Sequence, residues 1–181
     1  MLDFFTLISR VFKSHLVAFK TVICKAILMV LLAVVSNVAW AGDLEDGIAA
    51  YQNKDYAIAL KLFRSVAATK NASAQFNLGR MYYFGEGVSQ DFRKAVEWFR
   101  MAAKQGDAKA QYLLGMLYYS GDGAHQDYIR AYMWNSLAVA SGYKDAGMYR
   151  DAVAAEMTQQ QISEAQKMAK ECLANNYKGC N

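Results

Sequence analysis

The side chains that could move a proton, hold a metal or attack a substrate are few in this sequence. His15 and His125 are the only histidines and Cys24, Cys172 and Cys180 the only cysteines. A zinc site needs three or four converging nitrogen or sulfur ligands, and nothing here offers them. His125 stands alone between Ala124 and Gln126 in a segment rich in turn residues, which reads as a solvated loop side chain. No Ser/His/Asp or Cys/His signature is present. Gly85-x-Gly87 lacks the lysine and hydroxyl of a phosphate loop, so it reads as a helix stop. Two carboxylates across a cleft would suffice for glycoside hydrolysis. Asp91 and Asp127, however, each stand just ahead of an apolar helical period, where a carboxylate caps free N–H groups, and Glu86 and Asp122 sit between turn glycines. The expectation is a chain with no catalytic residue, no metal and no cofactor.

The elements that place these residues are helices. The 181 residues contain no proline, so nothing in the backbone vetoes long helical runs. Shifting the chain by 36 residues aligns 74–109 with 110–145 without a gap and gives 14 identities, where chance gives roughly three. Ala74, Leu78 and Tyr82 recur every four residues, as do Ala110, Leu114 and Tyr118, so each set shares one helix face. Gly85 and Gly121 end these first helices with the positive φ of a C-cap. Asp91 and Asp127 open the second helices, which carry Ala95, Trp98 and Ala102 in one copy and Ala131, Trp134 and Ala138 in the other. Small residues let the paired helices approach while Trp98 and Tyr82 fill the space between them. Gly106 and Gly142 then turn the chain into the next unit.

One such hairpin cannot bury both faces, so it must stack on neighbours. Upstream, Asp55-Tyr56, Ala59, Phe63-Arg64 and Ala67 repeat the second-helix pattern 36 residues early, behind a helix that runs past Ile48 and Tyr51 to a break at Asn53-Lys54. Downstream, Ala146 keeps the register, while Arg150 and Asp151 replace leucine and glycine and predict the polar outer face of a cap. Thr158 with Gln161 forms a capping box that opens a last helix. The predicted units are 43–73, 74–109, 110–145 and a cap over 146–181.

The first 41 residues follow a different logic. Arg10, Lys13, Lys20 and Lys25 precede an unbroken apolar run from Ala26 to Val35, and Ala39-Trp40-Ala41 sets small residues at a peptidase site. A signal peptide cleaved after Ala41 is expected, giving a periplasmic or secreted protein. Two alternatives stay open, a later translation start and retention of the segment as a membrane anchor. Cleavage removes Cys24 and four bases against one acid, so the formal charge falls from +4 to about +1. Bases and acids are then evenly mixed, which argues against a nucleic-acid partner, because replacing the counterions along a nucleic-acid backbone needs a basic stripe. Cys172 and Cys180 remain as an even pair in an exported chain and read as a disulfide; free thiols in a frayed terminus are the alternative.

The pattern Ala74-Gln75-x-x-Leu78-Gly79-x-x-Tyr82-x-x-Gly85-x-Gly87-Val88-x-x-Asp91, followed by Ala95, Trp98-Phe99, Ala102-Ala103 and Gly106-Asp107-Ala108, resembles the Sel1-like repeat of the tetratricopeptide superfamily. The strong resemblance covers 74–145 and a weaker one extends over 43–157. It implies an all-α, right-handed α-solenoid of about four helix-turn-helix hairpins whose inner surface binds peptides or folded proteins, with no reaction attached to the fold. The partner would meet first-helix positions that the internal repeat leaves unfixed: Asn77, Arg80, Met81 and Phe84, then Leu113, Met116, Leu117 and Ser120. Met81, Leu113 and Leu117 have a second reading as core between hairpins. The functional expectation is a protein–protein interaction adaptor of the cell envelope. The alternative is an envelope protein that binds or processes cell-wall glycan in the same groove, and a membrane-tethered assembly factor follows if the leader is kept.

Overall fold

The computed structural model describes residues 42–180; the leader expected over residues 1–41 lies outside them. Asp43 onward is one compact unit built from eight helices among the described residues. The first, α1, is helical over residues 42–52. It is followed by α2 (Tyr56–Ala67), α3 (Ala72–Phe84), α4 (Phe92–Ala103), α5 (Ala108–Ser120), α6 (Tyr128–Ala140), α7 (Ala146–Ala155) and α8 (Gln159–Ala174). The chain breaks at Asn53-Lys54, and Lys54 takes a positive φ of 64° there.

The helix starts follow from short polar side chains at fixed positions. The side chains of Asn71, Asp91, Asp107 and Asp127 accept hydrogen bonds from the backbone N–H three residues on, at 2.8–3.0 Å, satisfying donors that the helix cannot. These bonds also hold the Asp91 carboxyl below the usual carboxylate range, with Lys94 assisting. The Thr158–Gln161 capping box opens α8. Gly85 and Gly121 close α3 and α5 in the left-handed region, at φ 73° and 81°. Gln90 and Gln126 explain another repeated position, because each donates its side-chain amide to a carbonyl of the preceding first helix, Tyr83 and Tyr119, at 2.8 Å.

Packing alternates along the stack: α3 lies against α2 and α4, α5 against α4 and α6, and α7 against α6. Each second helix therefore fills the space between two successive first helices, burying the alanine, leucine and aromatic face that recurs every 36 residues. The space expected to hold Trp98 is taken by Phe99 instead. Phe99 is fully buried while Trp98 is half-buried, and a Cβ on Gly79 would stand 2.5 Å from the Phe99 ring. In the next hairpin the tryptophan does enter the core, since Trp134 is fully buried. The polar cap is mixed. Arg150 and Asp151 pair with each other at 2.7 Å, but Met148 beside them is 71% exposed.

After α8 the chain turns back through Asn176 and Tyr177, both at positive φ, and Cys180 bonds to Cys172 with Cα atoms 5.4 Å apart. The tail is placed by this link. Its Tyr177 hydroxyl lies 2.9 Å from that of Ser141, and its ring is the nearest neighbour of Gly106.

Candidate partner-binding groove

First helices pack on second helices more than on one another, which leaves a trough along the first-helix side. A groove of about 500 Å³ lies there. Ile48 comes from α1, Ser73, Phe76, Asn77 and Arg80 from α3, Asp107–Lys109 from the start of α5, and Ser141–Tyr143 from the turn before α7. Its walls thus come from three successive hairpins and the turn that leads into the fourth. No single repeat could form it.

Arg80 is the central cation. Its guanidinium lies 4.8 Å from the Tyr51 ring centroid and 5.9 Å from that of Phe76, and it donates to the Tyr51 hydroxyl at 3.1 Å. Tyr51 in turn donates to Glu86, which also accepts from Tyr56. Burial, reinforced by the Glu86 bond, pushes the Tyr51 phenol up to about 12 while Arg80 opposes the shift, so Tyr51 stays neutral and serves as a fixed support. The arrangement anchors a planar cation between two aromatic rings at the groove wall. Asn77 donates to the Ser73 carbonyl at 2.9 Å, which leaves its side-chain oxygen as an acceptor. Asp107 is committed to capping α5, so Arg80 and Lys109 dominate the charge of the lining.

The candidate residues divide between three places. Asn77 and Arg80 line the groove. Met116 and Ser120, with the edge of Leu117, border a separate cleft of about 120 Å³ beside Tyr83, Tyr119 and Tyr149, and Phe84, 55% exposed, stacks edge-on against Tyr83. Met81 is 0% exposed and Leu117 2% exposed, so both are core residues and present almost nothing to a partner. Leu113 is half-buried and packs against the same core. The groove also holds residues that the repeat comparison did not select: Phe76 on α3 itself, Lys109 at the start of α5 and Tyr143 in the turn before α7. A signal existed for one of them, because the aromatic at Phe76 recurs as Tyr112, and Tyr112 stacks with Tyr143 and Tyr149 at centroid distances of 5.0 and 5.1 Å.

Among the described residues no group of His, Cys, Asp or Glu could hold a metal ion. No described helix is long and apolar enough to cross a membrane. The Sel1 repeat family model matches residues 72–107 and 108–143, two residues ahead of the units drawn from sequence identity. No curated protein matches the chain significantly. Among solved structures, the chain is similar to a protective antigen present in uropathogenic Escherichia coli strains that displays an SLR fold, with TM-score 0.71 and 28% identity over 76% of this chain and 31% of that one. It is also similar to a Sel1 repeat protein from Oxalobacter formigenes, with TM-score 0.60 and 28% identity over 76% of this chain and 64% of that one. The chain thus spans about a third of the first relative and just under two thirds of the second.

Proposed function

Because this chain is a Sel1-like repeat protein, we propose that it is a binding scaffold whose first-helix groove takes an extended segment of a protein partner. The groove itself carries the reading. It combines apolar surface from Ile48, Phe76 and Tyr143 with cations from Arg80 and Lys109, and an interface needs such apolar anchors within a polar rim. The reading assigns no reaction, metal or cofactor. Export to the periplasm or cell exterior is part of the same proposal, supported by the leader pattern before Gly42 and by the Cys172–Cys180 disulfide, since such bonds persist in oxidising compartments.

Capture from envelope extract tests the reading, with the purified chain and its Arg80→Glu variant as baits of equal helical content. A defined protein held by the native chain and retained at least about tenfold less by the variant, roughly 1.4 kcal/mol, is the expected result. Equal capture by both moves the site away from Arg80, and retention of cell-wall fragments alone replaces the protein partner with glycan. The mass of the chain recovered from cells is expected to begin at Gly42; an intact N-terminus would sink the cleaved form and make the protein membrane-tethered.

A further inference from the structure

A second cavity, of about 470 Å³, shares no residue with the groove. Arg100 of α4, Tyr118 of α5, Arg130 of α6 and the loop 123–127 enclose it. Two guanidinium groups converge on Tyr118: Arg100 donates to its hydroxyl at 2.8 Å, and Arg130 lies 5.9 Å from its ring centroid. Tyr118 accepts from Arg100, and its O–H donates to no acceptor among the described residues. Asp127 is the only carboxylate in the lining, and both its oxygens are committed, one to the Arg130 backbone N–H and the other to the Arg130 guanidinium. Arg100 has no carboxylate partner among the described residues, and the backbone N–H groups of Gly123, Ala124 and His125 donate to no described acceptor. Arg130 thus has its carboxylate partner in Asp127, while the Arg100 guanidinium, the Tyr118 hydroxyl and the loop N–H groups are donors with no matching acceptor among the described residues beyond the Arg100–Tyr118 bond itself.

Packing alone does not account for this composition. One hairpin earlier Arg64 donates to Tyr82 at 3.0 Å, with Lys94 5.3 Å from that ring and 3.3 Å from Asp91. The arginine–tyrosine bond recurs because it ties one hairpin to the next. Hairpin packing uses a lysine at position 94 and a serine at position 89 equally well; only the later copy has Arg130 and His125 in those places. Those two changes add a planar guanidinium, one nitrogen of which bonds Asp127 while the others bond no described acceptor and suit an oxyanion, and a further nitrogen donor.

We propose that this cavity binds a phosphate group borne on a small polar body, either a soluble phosphomonoester or a lipid headgroup. The site is independent of the groove and of its partner. Backbone amide NMR shifts of the full chain, followed while inorganic phosphate or glycerol phosphate is added at constant ionic strength, test it beside co-sedimentation with phosphatidylglycerol vesicles and phosphatidylcholine controls. Saturable shifts confined to residues 100, 118 and 123–130 are expected for the soluble probes, with affinity falling at least about fivefold in Arg130→Gln and unchanged in Lys94→Gln. Arg130→Lys, which keeps the charge and loses the planar guanidinium, is expected to fall between and guards against misfolding of the first variant. Sedimentation with phosphatidylglycerol alone, lost in Arg130→Gln, assigns the phosphate to a headgroup; a soluble response alone assigns a free phosphomonoester. No saturable response to any probe up to about 20 mM, or equal losses in Arg130→Gln and Lys94→Gln, would overturn the proposal.

Discussion

Alanine at Gly123 is expected to destabilise the chain by about 3 kcal/mol, roughly 10 °C in the thermal midpoint. Gly123 holds φ +71°, and a Cβ there would stand 2.3 Å from the carbonyl carbon and oxygen of Phe92 and 2.7 Å from the Arg93 nitrogen. Those are backbone atoms at the start of α4, so no rotamer change relieves the clash and the two hairpins must move apart. The corresponding Gly87 meets the Cβ of Tyr56 at 2.6 Å, at the start of α2. The same glycine thus sets hairpin spacing twice. Gly142→Ala is the control: its φ is +94° with nothing within 4 Å, so only backbone strain of about 1 kcal/mol is added. Thermal unfolding of both variants checks the argument, and equal losses would show that positive φ, not the contact with Phe92, governs position 123.

Breaking the Cys172–Cys180 disulfide is expected to cost about 2.5 kcal/mol, the chain-entropy value for so short a loop, and to act locally first. Both cysteines are buried, and the segment between them carries Tyr177 to Gly106 and Ser141. These two positions lie in the turns before α5 and α7, and Ser141 lines the groove. Hydrogen exchange of the Cys172→Ser/Cys180→Ser chain is expected to quicken at residues 141–143 and 106–107 while α3 and α4 keep their protection. Unchanged exchange at those turns would mean that the tail does not brace the groove.

How much of this was legible beforehand depended on the range of the interaction. Asp91, Asp127 and Thr158 bond to N–H groups three residues away, and Gly85 and Gly121 answer to their own φ, so local spacing was enough to assign them. Met81 and Arg80 show where that stops. Both differ from their counterparts Leu117 and Met116, and variation alone cannot tell a repacked core position from a surface one. The rotation of α3 within the stack buries Met81 and turns Arg80 toward Tyr51 and Phe76.

The sequence by itself determined the helical repeat, its caps and its terminal disulfide pair, because each rests on the 36-residue period or on partners a few residues apart. Only the tertiary structure decided which faces remain open. The groove draws Ile48, Arg80, Lys109 and Tyr143 from three hairpins and the turn beyond them, and the donor-lined cavity draws Arg100 and Arg130 to one tyrosine. Both depend on the spacing and rotation between stacked hairpins, which contacts such as Gly123 on Phe92 set and no local spacing encodes.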